Sequence, residues 1–148
     1  RVSISWNASN ICSASATLFP MTLSVSIDAE ARDGLTNYIE QTKEKLNTLY
    51  ACKPPQGNGT YVAPRAVELN SIDDLGEEQF GPIVHIIRFG ARDIDRVVDD
   101  INALGYGLTF GIHSRIDTTV ERVLKRLRVG NAYVNRNIIG AVVGSVIR

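Results

Sequence analysis

The clearest hydrophobic pattern in the chain is an alternation of strand-like and helix-like segments between residues 83 and 135. Residues 83–89 (IVHIIRF) are apolar on both faces over most of their length, which is typical of a buried parallel strand. Two amphipathic helices follow, separated by a strand at 108–113 and ended by a strand at 132–135. Their apolar faces comprise Ile94, Val97, Val98, Ile101 and Leu104 in the first helix, and Val120, Val123, Leu124 and Leu127 in the second. This order predicts an α/β fold with right-handed crossovers and a parallel βαβαβ core.

Start and stop signals frame both helices. Asp93 and Asp117 precede the two apolar faces and suit N-caps, whereas Gly105 and Gly130 follow them and are expected to end the helices.

An earlier helix is predicted from Asp28, a good N-cap, with Glu30 in its first turn. The helix's apolar positions recur at steps of three and four residues through Ala31, Leu35, Tyr38, Ile39, Leu46 and Leu49. Residues 52–60 (CKPPQGNGT) are predicted to form a loop, because Pro-Pro and Asn-Gly both break helices.

Residues 61–69 have the composition of a strand, in which Pro64 is confined to a sheet edge or a bulge. Residues 70–75 are polar and turn-like. Residues 1–24 carry no charge after Arg1 and show neither a helical nor a strand period, so this segment differs from the rest of the chain.

Length and charge restrict the function. A chain of 148 residues is enough for one domain with a hydrophobic core. Sixteen basic residues balance 16 acidic ones, which argues against nucleic acid or an anionic membrane as the main partner. No apolar run reaches the ~18 residues that a membrane span needs. With no leader-like N-terminus, we expect a soluble, cytoplasmic protein.

The two cysteines, Cys12 and Cys52, are expected to be free thiols, and no spacing of ligand residues indicates a metal site. Cys12 has no visible cation or base to stabilise a thiolate, so it is interpreted as inert. His85 and His113 lie inside strand patterns and are interpreted as structural histidines. The residues alone therefore indicate no catalytic group.

The glycines of the Gly105-Tyr106-Gly107 stretch and Gly111 do not form a nucleotide loop. A phosphate-binding loop follows a strand and opens a helix, whereas these glycines follow a helix and lead into a strand.

Residues 76–86 (GEEQFGPIVHI) hold the most distinctive side chains. If this segment is extended, Glu78 and Phe80 alternate and point to the same side. A carboxylate can hold the two hydroxyls of a ribose, and a neighbouring aromatic ring can shield the sugar. The spacing therefore allows a nucleotide-edge site at Glu78 and Phe80, with a solvated acidic pair as the alternative. Glu77 is expected to be solvated.

Three motifs resemble the late catalytic-domain segment of the aldehyde dehydrogenases. The first is Glu-Glu-x-Phe-Gly-Pro within residues 59–89. The second is Asn-x-x-x-Tyr-Gly-Leu and the third is Gly-x-x-x-Val-Asn, which lie within residues 101–115 and 128–144. The sequences of residues 27–40 (IDAEARDGLTNYIE) and 134–144 (VNRNIIGAVVG) most resemble one branch of this family. That branch is the pyrroline-5-carboxylate (glutamate semialdehyde) dehydrogenase module of the bifunctional proline utilisation A proteins.

The resemblance implies that residues 27–148 are part of an aldehyde dehydrogenase catalytic domain. Residues 1–26 would lie outside it, as an unmatched segment whose composition is compatible with disorder. It further implies NAD-dependent oxidation of glutamate semialdehyde, a small-molecule aldehyde, to glutamate in proline catabolism. Glu78 matches the family's glutamate that binds the nicotinamide ribose, Phe80 matches the aromatic residue beside it, and Asn135 matches a structural asparagine.

The chain also departs from the family pattern. The family's nucleotide-binding domain lies mostly N-terminal to this segment, and we expect this chain to lack both that domain and the glutamate that serves as the family's general base. Cys12 is too close to Asp28, and its Asn-Ile-Cys context differs from the family's Gly-Gln-x-Cys, so the nucleophile is not transferred to it. We therefore expect a C-terminal fragment that is inactive alone, in a homo-oligomer or with a partner supplying the nucleotide-binding domain. The alternative hypothesis is a non-catalytic remnant or an interaction module that assembles with a partner.

Overall fold

A computed structural model describes residues 3–6, 24–25, 28–53, 59–136, 138 and 146–147. Short 3-10 helices lie at Ile72–Leu75 and Ala91–Asp93. The strands and α-helices are, in chain order, β1 Ser3–Trp6, β2 Ser24–Val25, α1 Ala29–Thr42, β3 Asn47–Ala51, β4 Tyr61–Val62, β5 Arg65–Leu69, β6 Ile83–Ile87, α2 Ile94–Ala103, β7 Thr109–His113, α3 Asp117–Arg126, β8 Asn131–Val134 and β9 Val146–Ile147.

The chain divides into two compact units. Residues 12–88 form the first, here called the α1 unit; residues 1–11 and 89–148 form the second, here called the α2–α3 unit. The predicted α/β class is confirmed, with parallel pairs β5–β6, β7–β8 and β8–β9. The strands of the predicted βαβαβ run are divided between sheets, because β6 bonds to β5 whereas β7 bonds to β1 and β8.

The α1 unit contains a three-stranded sheet in the order β3-β5-β6. β3 runs antiparallel to β5, and β5 runs parallel to β6 with Arg65 opposite Ile83. A separate pair, β2 and β4, is antiparallel. The core cluster of the unit consists of buried side chains and the partly buried ones packed against them: Leu46, Val67, Leu69, Leu75, Ile83 and Ile87.

The first helix begins where it was predicted, since the Asp28 side chain accepts a hydrogen bond of 2.8 Å from the Ala31 N–H. Its predicted extension is wrong. α1 ends at Thr42, Leu46 lies buried beyond the helix, and Leu49 lies in β3, a strand that the pattern did not predict. The spacing of the two leucines fits a helix, but pairing with β5 makes the second segment a strand.

The strand predicted at residues 61–69 is interrupted at Ala63 and Pro64, outside β4 and β5. Pro64 was expected to confine its strand to an edge or a bulge. Instead it directly precedes the central strand of the sheet, where its missing N–H costs no ladder bond. Its carbonyl accepts a 3.0 Å hydrogen bond from the Cys52 N–H.

The α2–α3 unit contains the sheet β1-β7-β8-β9, in which only β1 runs antiparallel to its neighbour. The side chains that are fully buried, with less than 2% exposed, include Val98 of α2, Val123 of α3, Phe110 and Ile112 of β7, and Tyr133 of β8. The core of this unit is therefore formed by α2, α3, β7 and β8, all of which the apolar pattern of the sequence predicted.

The helix boundaries in this unit differ from the predictions in three places. Asp93 is at the N-cap position of α2, but its carboxylate accepts a bond from the Gly90 N–H instead of capping α2. Ile116, not Asp117, is the N-cap of α3. Gly105 ends α2 with a φ of 75°, as predicted, whereas Gly130 lies beyond the extended Leu127 that ends α3.

A hydrogen bond between Tyr38 and His85 joins α1 to β6. The Tyr38 hydroxyl lies 2.8 Å from His85 Nε2, and the two rings meet edge to face with centroids 6.0 Å apart. Burial raises the pKa of Tyr38 and lowers the pKa of His85, because it disfavours the charged form of each. This bonded pair agrees with the structural interpretation of His85.

The pH dependence of stability tests this pair. The folded-state pKa of His85 lies below its unfolded value of about 6.5, so the unfolded chain binds more protons between the two values. The stability is therefore present above about pH 6.5 and is lost as pH falls through the folded pKa. We expect His85→Gln to weaken this dependence in urea unfolding between about pH 5 and 8. If His85→Gln leaves the pH dependence unchanged, burial of His85 is not its cause.

Core packing of the α2–α3 unit is tested by two isoleucines four positions apart. Ile112 is 0% exposed, whereas Ile116 is 56% exposed. We expect Ile112→Ala to lower the free energy of unfolding by about 2–5 kcal/mol, because it leaves a cavity in the core. Ile116→Ala should change it by no more than about 0.5 kcal/mol. Equal effects in urea unfolding would contradict the placement of this core.

Candidate functional site

The candidate site lies in residues 76–82 (GEEQFGP), here called the motif loop, which connects the 3-10 helix Ile72–Leu75 to β6. The 3-10 helix begins with a capping box between Ser71 and Asp74. It ends at Gly76, whose φ of 63° and ψ of −142° favour glycine over any other residue. The approach to Glu77 and Glu78 is thus fixed by local backbone chemistry.

Two short turns follow, so the loop is not a regular strand. The Gly81 N–H donates to the Gln79 carbonyl at 3.1 Å, and the Ile83 N–H donates to the Gly81 carbonyl at 2.8 Å. Each bond spans two residues, as in a γ-turn, and Phe80 is the central residue of the first turn. Only in an extended segment would alternation put Glu78 and Phe80 on the same side. The turn at Phe80 removes that basis, and the shared role of the two residues stays a prediction.

Exposure distinguishes the side chains of the loop. Phe80 is 68% exposed, the largest value among the exposed large hydrophobic side chains of the described residues. Glu78 is half-buried, whereas Glu77 is exposed, as expected for a solvated neighbour. The Gln79 side chain donates to the Glu77 carbonyl at 3.2 Å, which ties the loop to itself. The loop therefore presents an aromatic ring to solvent close in sequence to a half-buried carboxylate.

The motif loop contacts both the three-stranded sheet and α1. The Arg65 N–H at the start of β5 donates to the Pro82 carbonyl at 2.9 Å. On α1, Leu35 packs so closely on the Gly81 backbone that a Cβ at Gly81 would lie 2.5 Å from Leu35 Cδ1. A Cβ at position 81 would have to displace the Leu35 methyl groups, so glycine allows the closest approach of this side chain.

A small crevice between α1 and the sheet does not supply a further ligand site. Its walls include Tyr38, Thr42, Lys43 and Arg65, and its volume is about 10 Å³, room for roughly one water molecule. The Arg65 Nε atom is buried and has no hydrogen-bond partner among the described residues. A nucleotide is far larger than this crevice, so the crevice does not hold one.

The asparagine of the second motif has a structural role that the sequence did not reveal. Asn102 Nδ2 donates to the Arg126 carbonyl and its Oδ1 accepts from the Arg128 N–H, both at 2.9 Å. This α2 side chain therefore satisfies backbone groups at the end of α3. Gly107 is required nearby, because a Cβ there would lie 2.9 Å from the Arg128 carbonyl oxygen.

The asparagine of the third motif holds a strand end. Asn135 has a φ of 55°, a left-handed conformation that asparagine tolerates better than most residues. Its amide accepts from the Ser114 N–H and donates to the Ser114 carbonyl, both at 2.9 Å. These bonds to backbone support the structural interpretation of Asn135.

Other candidate residues do not form a catalytic group in the part of the chain that the structure describes. Cys12 lies outside the described residues. His113, the last residue of β7, is exposed and has no described hydrogen bond through its ring. Within the described ranges, no group of three or more His, Cys, Asp or Glu side chains is arranged to hold a metal ion. The same ranges contain no helix with the length and apolarity needed to cross a membrane.

Comparison with known proteins gives consistent results. Residues 20–146 match the aldehyde dehydrogenase family. The chain is 44% identical over 140 residues to the bifunctional protein PutA of Rhizobium meliloti, covering 93% of this chain and 11% of that protein. It is 30% identical to 1-pyrroline-5-carboxylate dehydrogenase 1 of Halalkalibacterium halodurans, over 80% of this chain and 23% of that protein.

Solved structures agree in fold. A crystal structure of a mutant proline utilization A (PutA) from Bradyrhizobium japonicum superimposes with a TM-score of 0.75 at 45% identity, covering 82% of this chain and 12% of that one. The chain thus spans about a tenth of the length of the PutA proteins that it matches. From the match over residues 20–146 and the agreement in sequence and fold, we conclude that the chain belongs to the aldehyde dehydrogenase family.

Proposed function

We propose that this chain forms part of the catalytic domain of a dehydrogenase that oxidises glutamate semialdehyde, the open form of pyrroline-5-carboxylate, to glutamate with NAD. The similarity to PutA and to 1-pyrroline-5-carboxylate dehydrogenase supports the choice of substrate. The observation that carries the proposal is the motif loop, in which a 68% exposed Phe80 follows the half-buried Glu78 by two residues. An exposed aromatic ring of this kind is available to pack against a ligand or against another protein surface.

The residues of the loop fit a ribose. The Glu78 carboxylate is an acceptor with two oxygens, so it can accept hydrogen bonds from two vicinal hydroxyls. The Phe80 ring supplies a flat apolar surface on which the sugar can pack and exclude water. When bound, NAD supplies the acceptor for the hydride that leaves the substrate. In this account Glu78 and Phe80 orient the cofactor, and neither residue takes part in proton transfer.

No described residue of this chain is assigned as nucleophile or general base. The proposed role is therefore binding and orientation, which aids catalysis by fixing the distance between the hydride acceptor and the substrate. Assembly as a homo-oligomer, or with a partner that supplies the nucleotide-binding domain, belongs to the same proposal. The cytoplasmic location stays a prediction.

A second candidate function, an interaction module, is favoured by β3. All five of its residues are exposed, including Leu49 at 39% and Tyr50 at 56%. β3 is also the end strand of its sheet in the described residues, and an open edge of this kind can pair with another chain. Light scattering of the purified chain tests this function, because Tyr50→Lys should dissociate any oligomer formed through this edge.

The cofactor role is tested in a chimaera of Rhizobium meliloti PutA in which this chain's residues 20–146 replace the matching segment. NADH production from pyrroline-5-carboxylate is measured as a function of NAD concentration. We expect Glu78→Gln to raise the KM for NAD by about 10- to 100-fold, since hydrogen bonds to a charged group contribute about 1.5–3 kcal/mol. The KM for the aldehyde should be unchanged.

Glu77→Gln provides the matched control at the neighbouring, exposed carboxylate. It should leave both KM values as they are in the parent chimaera. If the two substitutions have equal effects, or if neither changes the KM for NAD, Glu78 is not a cofactor ligand.

A further inference from the structure

We propose that Leu35 of α1 is a positioning residue for the motif loop, acting through the backbone of Gly81. This inference rests on the proposed function for its consequence in cofactor binding. The contact itself is a property of the fold and is tested separately below.

The first observation is the closeness of the contact. A Cβ built on Gly81 would lie 2.5 and 2.6 Å from the two Leu35 methyl carbons and 3.1 Å from its Cγ. The leucine side chain therefore occupies the space that any other residue at position 81 would need. Leu35 is 6% exposed and is the one buried residue of α1. A mostly exposed helix thus places its buried side chain on the motif loop.

The second observation is that the Gly81 backbone makes hydrogen bonds on both sides along the chain. Its N–H closes the turn centred on Phe80, and its carbonyl accepts the Ile83 N–H that begins β6. Movement of Gly81 therefore changes both the turn that carries Phe80 and the start of the strand. On the far side, the Pro82 carbonyl is held by the Arg65 N–H. The loop is thus fixed between α1 and β5.

The third observation is a second anchor on the same helix. Tyr38 follows Leu35 by three residues, so the two side chains lie on neighbouring positions of one helix face. Its hydroxyl is 2.8 Å from His85 Nε2 on β6. One face of α1 therefore contacts the motif loop and, beyond it, the strand that the loop enters. This double contact prevents α1 from sliding along the sheet and leaves Leu35 fixed under Gly81.

The alternative is that Leu35 is an ordinary core leucine whose loss loosens the whole unit. Leu46 provides the matched comparison, because it is 8% exposed but packs in the cluster with Val67 and Leu69 on β5. Leu35→Ala and Leu46→Ala remove the same atoms from similarly buried sites. Only the first substitution removes atoms next to Gly81. Leu46 packs in the cluster that contains Leu69 and Ile83 alike, so its loss should affect the amides of these two residues together.

Amide hydrogen exchange of the 148-residue chain, followed by NMR, separates these two possibilities. The Ile83 and Arg65 amides report on the loop, because they donate to the Gly81 and Pro82 carbonyls. For Leu35→Ala we expect exchange at both amides to accelerate by about tenfold or more relative to the Leu69 amide. For Leu46→Ala we expect this ratio to change by less than about threefold. Equal changes in the two variants overturn the proposal.

A conservative variant guards against simple unfolding. Leu35→Met keeps most of the side-chain volume and should retain exchange close to that of the parent chain. If Leu35→Ala does not fold, Leu35→Val, a smaller truncation, is compared with Leu46→Val in the same way. An acceleration confined to the Leu35 variant supports the proposal, and its absence overturns it.

The functional arm uses the PutA chimaera. Leu35→Ala should raise the KM for NAD about tenfold while the KM for the aldehyde stays constant, and Leu35→Met should restore the parent value. Should Glu78→Gln leave the KM for NAD unchanged while the exchange result holds, the cofactor role is wrong and Leu35 still positions the loop. Should Glu78→Gln act as expected while Leu35→Ala and Leu46→Ala behave alike in exchange, only the positioning role is overturned.

Discussion

The contact between Leu35 and Gly81 is the constraint on which the proposed position of the motif loop depends. The Leu35 side chain fills the space where a Cβ at position 81 would lie, so any other residue there would have to displace it. Dispersion between close-packed atoms falls off steeply with distance, so a helix seated in this way is held in one place. The hydrogen bond from Tyr38 to His85 then fixes the orientation of the same helix face on β6. The motif loop takes its shape from these contacts and from the Arg65 N–H on its other side.

The α2–α3 unit uses a different device. Asn102 and Asn135 bond to the backbone at the ends of neighbouring elements, where helices and strands leave donors and acceptors unpaired. Asp95 and Asp99 of α2 also pair with Arg122 and Arg126 of α3. These ion pairs are at the surface and individually contribute little to stability, although the hydrogen bond from Arg122 lowers the pKa of Asp95. Each asparagine, in contrast, makes two hydrogen bonds to backbone groups at the end of a helix or strand.

The sequence predicts those elements whose apolar spacing matches their burial. α2 and α3 follow from the apolar face that each helix buries, and β7 and β8 follow from short apolar runs that are buried along most of their length. β3 was missed because a three-residue step from Leu46 to Leu49 suits a helix, and only pairing with a strand that follows later in the chain makes it extended. The two hydrogen bonds of the Asn102 side chain could not be predicted either, since its backbone partners lie 24 and 26 residues away in the sequence.

One part of the candidate site could likewise be predicted from the sequence, and another part could not. The spacing of Glu78 and Phe80 marks them as unusual, and the resemblance to a family supplies a ligand. The turn centred on Phe80 cannot be obtained from alternation, because it results from hydrogen bonds at Gly81 and Ile83. Support from α1 depends on a leucine 46 residues before the glycine that it contacts, a distance at which sequence spacing carries no information.

A double-mutant cycle on Leu35 and Gly81 tests the central contact most directly, with free energies of unfolding measured in urea. Leu35→Ala should cost about 2–5 kcal/mol by opening a cavity. Gly81→Ala should cost about 1–3 kcal/mol by forcing its methyl group against Leu35. In the double variant the new methyl group enters the space that the leucine has left. We therefore expect the double variant to lose less free energy of unfolding than the sum of the two single variants, by about 1 kcal/mol or more. Additive losses would show that Leu35 and Gly81 do not contact each other as described.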